Sequence, residues 1–168
     1  MLKVDVIFYK NKFMNFLKNN YKIFITIIIG IFLFYLLIYI DVVLRARSAY
    51  LEAEKYLDWY YNPNKKIEFL EKEFEVEKQK LDKLLAENKI SKEEYDVKLE
   101  ILNFNKERQI QESSLKYAYI WYKTAIDLFS PPESKWVKLA KEKINKVRQM
   151  WKEELQKKGY KIEDYMIE

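Results

Sequence analysis

Residues Ile23 to Ile40 read IFITIIIGIFLFYLLIYI, eighteen consecutive uncharged residues of which fourteen are Ile, Leu or Phe. At roughly −0.3 to −0.6 kcal/mol each in mid-membrane, those fourteen favour insertion by roughly 4–8 kcal/mol. As a helix the run spans about 27 Å, and Val42, Val43 and Leu44 extend it to the ~30 Å of a bilayer core. Asp41 then falls near the interface, and Tyr21, Tyr35 and Tyr39 lie towards the two ends. A buried core helix would carry a polar stripe on its water side, and none interrupts this run. A cleaved signal peptide fits less well, because its apolar region is usually only about 7–15 residues long. Residues 23–44 are therefore expected to form an uncleaved transmembrane helix.

The charge distribution around this span gives it a direction. Residues 1–22 hold Lys3, Lys10, Lys12, Lys18 and Lys22 against Asp5, while residues 41–168 hold 26 basic and 25 acidic groups. The net charge of +5 is thus concentrated before the span. The positive-inside bias places residues 1–22 in the cytoplasm as a basic flank. It places the C-terminal domain outside, in the periplasm if the span crosses a bacterial inner membrane. Val6, Phe13, Phe16 and Leu17 share one helical face among the lysines. Two readings fit that pattern: a helix lying on anionic lipid, or a plain basic flank.

Composition narrows the chemistry. The chain of 168 residues has no His and no Cys, and only two Gly and three Pro. It therefore has no disulfide, thiolate zinc site, imidazole base or Ser-His-Asp triad. Gly30 and Gly159 cannot build a phosphate-cradling loop. Adjacent carboxylates such as Glu93 and Glu94, or Glu71 and Glu73, stand among lysines and read as solvated helix faces. The near-neutral charge beyond the span argues against a nucleic-acid track. No enzyme, cofactor, metal site or small-molecule substrate is expected.

The rest of the chain reads as all-α. Ala49, Ala53, Tyr56 and Tyr60 recur on one helical face until Asn62-Pro63, so the membrane helix is expected to continue into the first helix beyond it. Ile67, Leu70, Phe74, Leu81 and Leu84 follow an a/d pattern, interrupted at Glu77. Ser91 with Glu94 forms a capping box, after which Tyr95, Leu99 and Leu102 restart the apolar face. A coiled-coil-like hairpin is expected over 64–114. Its second arm meets no Gly or Pro from Ser91 until Ser130-Pro131-Pro132. Leu115, Ala118, Tyr122, Ala125 and Phe129 form a stripe. Trp136, Ala140, Ile144, Val147, Trp151 and Leu155 follow on a last helix starting near Glu133 and capped by Gly159. Residues 160–168 are a tail.

Ala118-x3-Tyr122-x2-Ala125, followed by Leu128-Phe129-Ser130-Pro131, resembles the second helix and closing turn of a tetratricopeptide repeat (TPR). In that family small residues seven apart let helices approach, and a proline closes the helix. Trp136, Leu139 and Ala140 resemble the opening of a next repeat, although its later aromatic position falls on Lys143. Ala49–Pro63 is similar to a degenerate second helix. The resemblance implies a TPR-like domain over 45–159, interrupted by the hairpin, and a role in binding other proteins. Leu81–Leu102 is similar to the SHOCT helical hairpin, with Asn88 where that family has glycine. A bitopic anchor with a TPR-like exterior domain resembles proteins of the spirochaete periplasmic flagellar collar.

Twenty-four of the 28 aromatic residues are Tyr or Phe. Trp59, Tyr60, Tyr117, Tyr119, Trp121, Trp136 and Trp151 gather in the TPR-like parts. Tyr117, Tyr119 and Trp121 cannot all share the face of Ala118, Tyr122 and Ala125. They are therefore candidates for a protein-binding surface, with an extended core as the other reading. The expected function is non-catalytic scaffolding within a membrane-associated assembly. A self-oligomerising bitopic subunit of division or secretion machinery is the alternative.

Overall fold

A computed structural model of the chain describes the backbone of residues 2–163 and the side chains of residues 20–163. Five helices and no strand occur among the described residues: α1 (Leu2–Tyr61), α2 (Pro63–Ala86), α3 (Lys92–Gln111), α4 (Ser114–Asp127) and α5 (Lys135–Lys157). The all-α expectation is met. The side chains of Val6, Phe13, Phe16 and Leu17, and the tail beyond residue 163, lie outside the described residues. The chain divides into two compact units, residues 1–44 and 45–168.

The first unit holds the apolar run. From Ile25 to Ile40 every side chain is exposed among the described residues. α1 is the one helix, among the described residues, long and apolar enough to cross a membrane. The Thr26 hydroxyl in this stretch donates to the Lys22 carbonyl at 3.0 Å, so that polar group is satisfied within the helix itself.

In the second unit, the end of α1 contributes Ala46, Ala49, Tyr50 and Ala53 to a core completed by α4 and α5. Leu115, Ala118, Tyr122 and Ala125 of α4 and Ala140 of α5 are fully buried, as the helical spacing predicts, and Val137 of α5, outside the expected stripe, is fully buried with them. The alanines let the backbones approach, and the large residues fill the space between them. Fully burying Leu115, Val137 or Val147 contributes roughly 1.5–3 kcal/mol apiece.

The long second arm is shorter than expected, because α3 ends at Gln111 and α4 begins at Ser114. No Gly or Pro marks this break. Ser113 makes it by taking an extended conformation and accepting the Lys116 N–H, while Lys66 Nζ binds the carbonyls of Ile110 and Glu112 at 3.1 and 2.6 Å. Sequence patterns register the serine only weakly and the distant lysine not at all.

The α2–α3 hairpin closes as the capping signals imply. Ser91 Oγ accepts the Glu94 N–H at 3.1 Å, although the Glu94 carboxylate turns forward to Lys98 instead of completing the box. Asn88 adopts φ 54°, with Lys89 N–H on Leu84 and Asn88 N–H on Leu85, a Schellman ending. Gly159 ends α5 in the same way at φ 86°. Leu70 and Tyr95 are the buried residues of the hairpin seam, and the Tyr95 hydroxyl donates to Asp82 at 2.7 Å.

Candidate interaction surfaces

The aromatic residues singled out by sequence are mostly consumed inside the second unit. Trp59 is buried, edge-on to Tyr56 at 4.9 Å and tilted against Phe69 at 5.2 Å. Tyr119 is buried against Trp151 at 5.6 Å. Tyr117 stacks on Tyr56 at 5.2 Å and donates its hydroxyl to Glu112 at 2.5 Å. Trp121 packs half-buried at the edge of the core, and Trp136 lies 5.6 Å from Tyr50 with Arg47 over its indole. Only Tyr60 is exposed, edge-on to the still more exposed Tyr61. The faces that Tyr117, Tyr119 and Trp121 occupy on α4 are met by different neighbours. Three aromatics that cannot share one face therefore do not require an external partner.

A polar cluster crosses this core. Tyr122 and Lys143 both donate to Glu54 Oε1, the lysine at 2.6 Å. Burial by itself would raise the Glu54 carboxyl, but hydrogen bonds from Lys143, Tyr122 and Tyr50 outweigh it and hold the carboxyl below its ordinary value. Burial also opposes the charge on Lys143, yet Glu54 and Tyr50 hold that ammonium above its ordinary value. Burial, and then the Glu54 carboxylate, push the Tyr122 phenol upward, so it remains a donor. A carboxylate held by donors from α4 and α5 in this way ties those two helices to the end of α1.

Lys66 is buried to 7% exposure beside this core, and burial pulls its ammonium below the ordinary lysine value despite the nearby Glu112 and Glu154. It binds the carbonyls of Ile110 and Glu112 at the end of α3, so its charge closes that helix. Between α2 and α3 lies a cleft of about 660 Å³ lined by Phe69, Phe74, Val76 and Leu102, with Lys106 4.3 Å above the Phe74 ring. Among the described residues, no three or more His, Cys, Asp or Glu side chains gather as a metal site would require.

The outer face of α3 carries residues that sequence reasoning passed over. Val97, Ile101 and Phe104 are 56%, 54% and 64% exposed. They recur at spacings of four and three, which puts them on one face, about 200° around the helix from the buried Tyr95. The signal was present in the sequence as a second apolar row beside Tyr95, Leu99 and Leu102. Without the fold, nothing says which row the hairpin covers.

No protein-family model matches the chain, and no curated protein or solved structure matches it either.

Proposed function

We propose that this protein is a non-catalytic, membrane-anchored adaptor, whose helical domain binds another subunit of a membrane-associated assembly. The observation that carries the reading is the pairing of two uncovered apolar surfaces in one chain. One is the α1 run Ile25–Ile40, and the other is the α3 row Val97, Ile101 and Phe104. The first suits lipid, and the second is a row of large apolar side chains on an otherwise charged helix. Anchoring confines the domain to the membrane plane and raises its effective concentration near partners.

In this reading residues 1–22 are cytoplasmic and the domain is exterior, periplasmic in a bacterium, as the lysine bias favours. The domain is TPR-like. Its support is the close burial of Ala118, Tyr122 and Ala125 against the α1 and α5 alanines. A place in a periplasmic flagellar collar fits this architecture, and partners would be the neighbouring collar subunits.

The test is solubilisation of the full chain from its native membranes in mild detergent, followed by sizing and identification of what co-migrates. The expected result is a complex well above 20.7 kDa that contains other proteins. A monomer would sink the adaptor reading, and a complex of this chain alone would replace it with the self-oligomerising subunit. A compartment reporter fused after Glu168 tests the orientation separately.

A further inference from the structure

We infer that the outer face of α3 is a docking seam for a partner helix that is apolar along one stripe and basic along its flanks. The inference rests on the adaptor reading and names the chemistry of its partner. Written as a heptad, Val97 and Phe104 occupy d and Ile101 occupies a, so the exposed row has the spacing of a coiled-coil seam. The g positions on one edge are Glu93, Glu100 and Glu107, all exposed. Glu94 is paired with Lys98 at 2.7 Å and Glu112 with Arg108 at 3.1 Å, whereas Glu100 and Glu107 have no ion pair among the described residues. An apolar stripe edged by unneutralised carboxylates recognises a helix carrying Lys or Arg beside its own apolar residues.

The same geometry rejects a second copy of this chain. Antiparallel pairing of two α3 helices sets g against g, and therefore the Glu93, Glu100 and Glu107 row against itself. Parallel pairing sets Glu94 against Glu94 and Arg108 against Arg108 at the a positions. Either arrangement buries or apposes like charges, which costs stability on every contact. A partner helix that is basic on the flank facing Glu93, Glu100 and Glu107 meets neither obstacle.

The experiment uses the full chain in zwitterionic nanodiscs and two synthetic three-heptad peptides. Both carry Ile and Leu at a and d, and one carries Lys at e and g where the other carries Glu. Binding is read by fluorescence anisotropy at low and high salt. The Lys peptide is expected to bind at least about tenfold more tightly than the Glu peptide, and to weaken with salt.

Ile101→Asp is expected to cost the Lys peptide about tenfold or more. That substitution adds a negative charge, so a merely electrostatic attachment would tighten and overturn the seam. The double variant Glu100→Lys with Glu107→Lys is expected to reverse the peptide preference. All three positions are exposed, and circular dichroism checks the fold of each variant. Equal binding of the two peptides, or no binding of the Lys peptide, overturns the inference. So does a sedimenting dimer that Ile101→Asp dissolves.

Failure here is separable from failure of the adaptor reading. A large native complex with no peptide binding retains the adaptor and removes this seam. A native monomer that binds the Lys peptide does the reverse.

Discussion

Lys143 Nζ stands 2.6 Å from Glu54 Oε1, tying α5 to the last turns of α1 across 89 positions of sequence. The repeat-like pattern places an aromatic at position 143, and the lysine there reaches a carboxylate that two tyrosines also approach. The core thus contains one charged tie among alanines and rings.

That tie predicts a pH window. Glu54 is held below its ordinary value, so its contribution is present above 4.5 and is lost as pH falls through the lower folded value. Lys143 is held above its ordinary value, so its contribution is present below 10.5 and is lost as pH rises through the higher folded value. The Lys143 side chain is 40% exposed and that of Glu54 33%, so solvent screening trims the pair. Lys143→Met is expected to cost about 1 kcal/mol, and Tyr122→Phe about 1–2 kcal/mol. Denaturant unfolding of the full chain in detergent, repeated between the two pH limits, checks both. A Lys143→Met variant that loses as much stability at pH 3 as at pH 7 would contradict the pairing.

Lys66 predicts a local effect. Its ammonium holds the carbonyl of Ile110 in the last turn of α3 and that of Glu112 just beyond it. Lys66→Met keeps the aliphatic packing, removes the cost of burying a charge, and leaves two carbonyls unmet. The loss of bonds outweighs the relief, by roughly 1–3 kcal/mol. Hydrogen exchange is expected to accelerate first in the amides from Glu112 to Lys116. Uniform acceleration across all five helices would place the role of Lys66 elsewhere.

The two helix ends with positive φ respond in opposite directions. Asn88 at φ 54° occupies a left-handed position that glycine adopts without strain, so Asn88→Gly is expected to be neutral to stabilising by up to about 1 kcal/mol. Gly159 at φ 86° already holds the preferred residue, and Gly159→Ala is expected to cost about 1 kcal/mol. Thermal unfolding midpoints of the two variants measure this. A stabilising Gly159→Ala would mean that the α5 ending does not persist in solution.

The periodicity of α4 identified its buried face, because Leu115, Ala118, Tyr122 and Ala125 recur at helical spacing and all four are fully buried. The capping chemistry of Ser91 and Gly159 was legible for a similar reason: both act on backbone groups a few residues away. The break at Ser113 has a local cap too, but it also rests on Lys66 and on a bond from Ser113 to Glu154. The burial of Lys66 rests on the end of α3, and in each case that neighbour is more than forty positions distant. The aromatic candidates show the same division. Their positions on each helix followed from spacing, but which faces are covered depends on how α1, α4 and α5 meet. For the same reason the α3 row Val97, Ile101 and Phe104 went unrecognised.

That division predicts different outcomes for three of the candidate aromatics. Trp59 is 7% exposed and Tyr119 6%, each packed on other rings, whereas Tyr60 is 39% exposed. Trp59→Ala and Tyr119→Ala each remove a large buried ring and are expected to destabilise the domain by about 3–5 kcal/mol, the usual cost of emptying an aromatic site. Any loss of partner binding in these variants would then follow from loss of fold. Tyr60→Ala is expected to change stability by no more than about 0.5 kcal/mol, as substitutions at exposed positions do. If it also leaves the native complex intact, Tyr60 is outside the interface and the α3 row gains weight. If it dissolves the complex with the fold unchanged, the end of α1 is a contact surface in its own right. Stability from denaturant unfolding and complex size from native membranes separate the cases. A Trp59→Ala variant that stays fully stable yet loses the complex would return Trp59 to the partner surface.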